Sequence, residues 1–216
     1  MQLYFGPLAC SMATRIALYE AGADARFTYV DTRAKRTAEG DDFLAINPLG
    51  QVPALRLDDG PERRGDVVFE NQAILQYVAD RYPEAQLAPP PGRERVRLQQ
   101  WLSFVATELH KAVFIPLLAA DAPEGAKEYA RKIAPKRFAM LERHLANRDF
   151  LLDRFSVADA YLTTVLNWGR AAGIDYAEWP AVKAYFGRMT KRPSVAKALA
   201  EEFALYQEQQ ARRQVA

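Results

Sequence analysis

Cysteine and histidine are scarce in this sequence of 216 residues, which contains one cysteine and two histidines. A single cysteine cannot form an internal disulfide bond, and three such side chains make a poor set of metal ligands. We therefore expect no metal and a reducing, cytoplasmic compartment. An excess of charge is also lacking, since 29 basic and 27 acidic residues give a formal net charge of +2 without a basic stripe. This balance leads us to expect no nucleic-acid partner.

Long apolar segments are missing as well. No stretch is expected to reach the roughly 20 apolar residues that cross a bilayer, and the N-terminus lacks the basic segment and apolar core of an export signal. We therefore expect no membrane partner. The sequence does contain enough hydrophobic residues, 50% of the total, to build one good core or two small ones.

By composition the chain has an alternating part, a proline-rich break and a helical part. Residues 1–81 alternate β-branched or aromatic runs with amphipathic segments, which predicts an α/β domain with a partly parallel sheet. A proline-rich linker follows at residues 82–92, and residues 93–216 have the periodicity of an all-helical domain. The predicted strands cover residues 3–5, 27–30, 52–57 and 66–69, and the predicted helices cover residues 12–21, 70–79, 93–114, 124–146, 157–168, 181–191 and 194–210.

The only cysteine, Cys10, lies where the first predicted helix begins. The apolar strand ends at Phe5, Gly6 and Pro7 predict a turn, and the helix follows from Met12. The first N–H groups of a helix lack partners within it, and with the helix dipole they stabilise a thiolate or another anion. A small buried thiol that packs as a hydrophobic side chain is an equally good interpretation of this segment by itself.

Pro53 interrupts a predicted strand. Because proline cannot donate to a strand ladder, we expect it on an edge strand, where a cis Val52–Pro53 bond would accommodate it. The backbone of Val52 could then pair with an extended peptide ligand. An ordinary proline at the start of a strand is the commoner alternative.

The second predicted helix begins with Glu70 and Asn71. One interpretation is a routine N-terminal cap, in which Asn71 accepts from the backbone and the dipole favours Glu70. The other is a binding site for the head group of an amino acid, with its carboxylate at the helix start and Asn71 and its ammonium group at Glu70. In the helical part, Ser156 and Asp159 predict a short version of the capping box.

These features occur together, in this order, in a known family. The chain resembles cytosolic glutathione transferases, most closely those of the bacterial beta class, and the resemblance covers essentially its whole length. It implies a thioredoxin-like domain joined to a helical bundle, and a homodimer. The matching segments are PLACS at residues 7–11, GDDFLAINP at 40–48, GQVPAL at 50–55, WL at 101–102 with ATELHK at 106–111, and FSVADAY at 155–161.

The resemblance implies roles for individual residues, with glutathione as the co-substrate. Cys10 and His110 would flank the glutathione sulfur as the catalytic pair, although His110 by itself is one polar residue on an amphipathic helix. Val52 would pair with the glutathione backbone, and Lys35 would approach its glycine carboxylate. The implied glutathione-binding residues are Cys10, Ser11, Lys35, Gln51, Val52, Pro53, Glu70, Asn71, Ser103, His110 and Lys111. Candidates for the electrophile pocket, with core packing as the alternative, are Phe5, Leu8, Phe114 and Trp168.

The implied reaction is attack of the glutathione thiolate on a small apolar electrophile held between the domains. A cysteine at this position also allows disulfide exchange, by a monothiol route since there is no second cysteine. A glutathione-dependent reductase, dehalogenase, isomerase or peroxidase, and a non-catalytic binder of apolar ligands, are the alternatives. The sequence departs from the family pattern at Leu49, Asn71, Ser103 and the hairpin extension at residues 61–65, which could change the affinity for glutathione.

Overall fold

The computed structural model describes residues 1–58 and 65–215. Its contacts divide the chain into two compact units, of which the first comprises Met1–Leu87 and Pro193–Ala216 and the second Ala88–Arg192. Most of the hairpin extension at residues 61–65 lies outside the described residues. The division differs from the predicted domains, because the last helix groups with the N-terminal residues.

The first unit is built on a five-stranded mixed sheet with the strand order β3-β2-β1-β4-β5. Strands β1 and β2 are parallel, as predicted, and the other pairs are antiparallel. The short strand β3 is missing from the sequence prediction because its surroundings are polar. The strands are β1 Gln2–Phe5, β2 Arg26–Asp31, β3 Arg36–Thr37, β4 Ala54–Arg56 and β5 Val67–Val68.

Strand β4 corrects the prediction for Pro53. This strand lies between β1 and β5 and is therefore internal, and Pro53 precedes its first residue. The proline thus needs no ladder hydrogen bond, which confirms the alternative of a proline at the start of a strand. The Val52–Pro53 peptide bond is cis, as expected.

Three helices belong to the first unit. They are α1 Met12–Glu20, α2 Asn71–Arg81 and α7 Pro193–Val215, and a short 3-10 turn, Phe43–Ala45, follows β3. Helix α1 packs against both α2 and α7. One buried cluster of the unit comprises Tyr4, Val30, Phe43 and Ala54. Since successive side chains of a strand point to opposite faces of the sheet, the strand residues of this cluster lie on one face.

The second unit is helical, as predicted. Its helices are α3 Arg93–Leu118, α4 Glu124–Leu145, α5 Val157–Leu166 and α6 Pro180–Met189. Helix α4 continues through Pro135, and α3 extends past Pro116. The capping box at Ser156 is confirmed, because the Asp159 carboxylate accepts hydrogen bonds from both the backbone N–H and the hydroxyl of Ser156, each at 2.9 Å.

Helix α3 changes its hydrogen-bonding pattern along its length. Arg93–Phe104 is α-helical, Val105–Phe114 is π-helical, and Ile115–Leu118 is α-helical again. By length and composition this helix is long and apolar enough to cross a membrane. In this structure 44% of its most apolar window is buried, and core helices of soluble proteins meet the same test.

Candidate active site

The loop between β1 and α1 brings Cys10 to the start of the helix, as predicted. The Ala13 N–H donates to the Cys10 carbonyl, which begins the first turn, and Ser11 is the last residue before the helix. Cys10 is half-buried, and its thiol donates to the Val52 carbonyl oxygen with an Sγ–O distance of 3.1 Å. The structure therefore unites the predicted sulfur position with the predicted peptide-pairing position, although 42 residues separate them.

Ser11 shapes this loop. Its side chain is fully buried, and its hydroxyl accepts from the Gly6 N–H at 3.2 Å and donates to the Gly6 carbonyl at 3.3 Å. Two hydrogen bonds across the turn fix the path of the chain into α1. The structure thus gives the Ser11 side chain a part in holding the loop, and the expected part of Ser11 in glutathione binding stays a prediction.

Asn71 connects the starts of two helices. Its side-chain amide donates to the Cys10 carbonyl and its oxygen accepts from the Thr14 hydroxyl, both at 2.9 Å. Because the side chain is buried and bonded to α1, it does not cap its own helix, which corrects the capping interpretation. Cys10, Val52 and Asn71 form one connected cluster.

Glu70 precedes α2 in a strained backbone conformation, with φ of 64° and ψ of 116°. Its carbonyl accepts from the N–H groups of Ala73 and Ile74, and its side chain is exposed. Strained residues of this kind concentrate at functional sites. Among the described residues that have a positive φ and are not glycine, three of four are predicted site residues, namely Leu8, Lys35 and Glu70.

Lys35 lies against the loop that leads to Val52. Its ammonium group donates to the Gly50 carbonyl at 2.9 Å. Gly50 has φ of +58°, which favours a glycine, and a Cβ built there would lie 2.8 Å from Cδ of Lys35, so the lysine side chain would have to move. The buried Asn47 holds the same loop by donating to the Gln51 carbonyl at 2.7 Å. The Gln51 side chain is exposed.

A buried contact between Glu202 on α7 and Arg15 supports the Cys10 loop, and the sequence analysis missed it. The fully buried Glu202 accepts from the Leu8 N–H at 2.7 Å, and its carboxylate lies 3.1 Å from Nε of Arg15. The guanidinium of Arg15 also stacks over Phe5, 4.1 Å from the ring centroid. Burial raises the pKa of Glu202 to about 8, against the opposing effects of Arg15 and the Leu8 N–H. No local pattern could reveal a pair that is 187 positions apart in the sequence.

His110 lies in the π-helical segment of α3 and is buried in the helical unit. Its Nδ1 is 2.7 Å from the Tyr161 hydroxyl, and its ring lies edge-on to Trp168 with a centroid distance of 5.0 Å. Burial, with a smaller effect of Lys111, lowers the pKa of His110 to about 4, so the ring is neutral at physiological pH. π-Helical segments are rare and occur frequently at functional sites.

Comparisons with known proteins decide the family. The model of the glutathione S-transferase N-terminal domain matches residues 1–80, and that of the glutathione S-transferase C-terminal domain matches residues 104–193. Glutathione S-transferase GstA of Escherichia coli O157:H7 is 41% identical over 204 residues, which cover 94% of this chain and 98% of that protein. The chain belongs to the glutathione S-transferase family.

Solved structures of this family extend the match to the whole fold. A sphingomonad glutathione S-transferase complexed with glutathione has a TM-score of 0.87 and 45% identity, with 94% of this chain and 98% of that chain covered. A beta-class transferase of Sphingomonas chungbukensis has a TM-score of 0.87, 43% identity and the same coverage. The thioredoxin-like domain and the helical domain are therefore those of bacterial beta-class glutathione transferases, a family of enzymes that conjugate glutathione.

The predicted electrophile pocket is corrected at two of its four residues. Phe114 is fully buried and packs edge-on against Phe138 and Trp168, and Phe5 is 2% exposed beneath the Arg15 guanidinium. Neither offers surface to a ligand, which favours core packing for both. Leu8 is half-buried, and Trp168 is 9% exposed.

Two further predicted glutathione-binding residues, Ser103 and Lys111, lie on α3. The side chains of Ser103 and Lys111 are exposed, and the Ser103 carbonyl accepts from the Thr107 hydroxyl at 3.0 Å. Within residues 1–58 and 65–215, no group of three or more His, Cys, Asp or Glu side chains is arranged to hold a metal ion. A separate cleft of about 280 Å³ in the helical unit contains none of the predicted site residues, and its lining includes Trp101, His144 and Arg148.

Proposed function

We propose that this chain is a glutathione transferase that joins the glutathione thiolate to small apolar electrophiles. The observation that carries the proposal is the cluster of Cys10, Val52 and Asn71, in which the start of α1 meets the chain segment before β4. Glutathione would add to Val52 as an extended peptide beside Pro53, with its sulfur at Cys10. In the reaction a carbon–sulfur bond forms and, with an aryl halide, the halide ion leaves with the electron pair of its bond.

The rest of the first unit supplies groups for the two ends of glutathione. Glu70 would pair with the ammonium group of the γ-glutamyl residue, and the N–H groups at the start of α2 would donate hydrogen bonds to its carboxylate. Lys35, with Gln51 nearby in the sequence, would approach the glycine carboxylate. Leu49 lacks the charge of a lysine, so binding of the glycine carboxylate depends on Lys35 in the proposed arrangement.

The helical unit would supply His110 to the glutathione sulfur, with Ser103 and Lys111 as further polar contacts on α3. Leu8 and Trp168 stay our candidates for contact with the electrophile. A thiol with a pKa of about 8.5 is mostly protonated at neutral pH, so the site must favour the thiolate. Each unit by which the site lowers the pKa of the thiol corresponds to about 1.4 kcal/mol in favour of the thiolate. We further propose a homodimer that needs no metal and works in the cytoplasm.

The test is conjugation of a model aryl halide by the wild-type protein and by Cys10→Ala. We expect conjugation by the wild type and reduced but measurable conjugation by Cys10→Ala, because the helix start and His110 remain. The matched control is Thr107→Ala, an exposed hydroxyl on α3. An absence of conjugation by the wild type towards a panel of electrophiles, with glutathione binding retained, would favour a non-catalytic binder instead.

A second activity, thiol–disulfide exchange, is favoured by the half-buried thiol of Cys10. The Cys10 thiolate would attack a disulfide of glutathione, form a mixed disulfide and release the other thiolate. A second glutathione thiolate would then release oxidised glutathione and regenerate Cys10. Reduction of hydroxyethyl disulfide measures this activity, and Cys10→Ala should abolish it. Unchanged reduction by that variant would exclude the covalent route.

A further inference from the structure

The proposed function leaves open whether His110 takes a proton from glutathione or donates a hydrogen bond to its sulfur. The answer depends on which ring nitrogen carries the single proton of the neutral imidazole. Within the helical unit, the Tyr161 hydroxyl contacts Nδ1 of His110, and both side chains are buried, at 2% and 6% exposure. The direction of this one hydrogen bond therefore fixes the role of the other nitrogen, Nε2.

The geometry favours the tyrosine as the donor. The distance between the hydroxyl oxygen and Nδ1 is 2.7 Å. Donor–acceptor distances of O–H donors are most often about 2.7–2.8 Å, whereas those of N–H donors extend over about 2.7–3.2 Å and are most often about 2.9–3.0 Å. A phenol is also a stronger acid than a neutral imidazole, and an imidazole nitrogen is a stronger base than a phenol oxygen. Both arguments favour the proton on the oxygen, with Nδ1 as the acceptor.

The ring carries one proton, so an accepting Nδ1 requires Nε2–H. The neutral state follows from the burial of the ring between Tyr161 and Trp168, whose centroids lie 5.9 Å and 5.0 Å from that of the imidazole. Charging the ring there would cost desolvation energy, with the Lys111 ammonium one residue away opposing it further.

We propose that Tyr161 is a positioning residue that holds His110 in the Nε2–H tautomer, so that His110 donates a hydrogen bond to the glutathione sulfur and does not act as its base. Tyr161 acts through His110 without contacting substrate. The inference rests on the proposed function for its catalytic part. The tautomer itself is a property of the protein without glutathione.

The chain suits a direct test, because it has two histidines. We would label the histidines of the full chain with ¹⁵N and record long-range ¹H–¹⁵N correlations without glutathione. His144 is an internal reference, since its Nε2 lies 2.9 Å from the Leu151 carbonyl oxygen, which can only accept. A variant, His144→Gln, assigns the signals. We expect an unprotonated Nδ1 and a protonated Nε2 at His110, and finding the proton on Nδ1 would overturn the proposal.

Tyr161→Phe then tests the positioning role. We expect His110 to lose its single tautomer, and kcat for aryl halide conjugation to fall roughly two- to tenfold with the KM for glutathione unchanged. The matched control is Tyr176→Phe, which removes a hydroxyl of the same unit bonded to the Leu166 carbonyl at 2.8 Å and should leave the His110 signals in place. Unchanged His110 signals in Tyr161→Phe would refute the role of the tyrosine.

These outcomes separate the inference from the proposed function. A protein that shows the Nε2–H tautomer and conjugates no electrophile would refute the function and retain the tautomer assignment. A conjugating protein with the proton on Nδ1 would retain the function and refute the inference. Should Tyr161→Phe fail to fold, the wild-type spectrum still decides the tautomer.

Discussion

Replacing Glu202 by glutamine should change how the stability of this protein depends on pH. Glu202 is fully buried on α7, where it accepts from the Leu8 N–H two residues before Cys10. Two effects compete at its carboxylate. Burial disfavours the charged form and raises the pKa, whereas the Arg15 guanidinium at 3.1 Å favours the charged form.

Burial prevails, with the pKa of Glu202 raised from 4.5 to about 8. A raised folded-state pKa means that the folded protein binds the proton more tightly than the unfolded chain does. The resulting stability is complete below about pH 4.5 and is lost as the pH rises through about 8. The difference of about 3.5 pH units, at about 1.4 kcal/mol each, corresponds to about 5 kcal/mol.

The assay is urea unfolding of the wild type and of Glu202→Gln at one protein concentration, from pH 5 to pH 8. Glutamine keeps the shape of the side chain and has no ionisable group. We expect the free energy of unfolding of the wild type, measured relative to that of Glu202→Gln, to fall by about 1.4 kcal/mol per pH unit across this range. A constant difference would show that Arg15 offsets burial, and an increasing difference would show a lowered pKa. Either result would refute the reasoning.

Glu201→Gln is the matched control on the same helix. Glu201 is 40% exposed and lies 3.0 Å from Arg15. Although burial acts to raise it, hydrogen bonds from Lys197 and Tyr19 lower the pKa of Glu201. Its stabilisation is therefore present above about pH 4.5 and is lost as the pH falls below that value. Between pH 5 and pH 8 the difference between the wild type and this variant should stay constant.

Two further substitutions test the loop geometry and the helix cap. Gly50→Ala should lower the free energy of unfolding by about 1–3 kcal/mol and weaken glutathione binding, because the positive φ strains an alanine and its Cβ would displace the Lys35 side chain. Gly187→Ala, at a helical position with open space, should be neutral or stabilising, and equal effects of the two would contradict this account. Ser156→Ala should cost roughly 0.5–2 kcal/mol in urea unfolding and leave conjugation unchanged. Lost conjugation at wild-type stability would instead assign Ser156 to the chemistry.

Much of the fold could be predicted because its signals are local. The turn at Gly6 and Pro7, the helix start at Met12 and the capping box at Ser156 each depend on a few neighbouring residues. The parallel pairing of β1 and β2 follows from the helix between them. The π-helical segment of α3 could not be predicted, because its apolar spacing is that of an ordinary amphipathic helix.

The residues of the candidate site could be predicted from the sequence better than their individual roles. Cys10, Val52 and Glu70 were identified from turn, proline and helix-start signals, and the structure brings Cys10 and Val52 into contact. The roles of Ser11 and Asn71 were not identified from the sequence. The local signals of a serine or asparagine side chain are the same whether it binds a ligand or another loop. Only its distant partners, Gly6 for Ser11 and the Cys10 carbonyl for Asn71, distinguish the two.

The sequence by itself determined the order of the helices and of the strands other than β3, the single thiol at a helix start and the family to which the chain belongs. The tertiary structure alone decided which groups meet across long separations in the chain. It brought the Glu202 carboxylate into contact with the Leu8 N–H of the Cys10 loop and the Tyr161 hydroxyl into contact with His110, and it buried Phe114 in the core. The physical reason is that the burial of a side chain and the partners of a polar group depend on packing between distant segments. Such packing cannot be recognised from the periodicity of the local sequence.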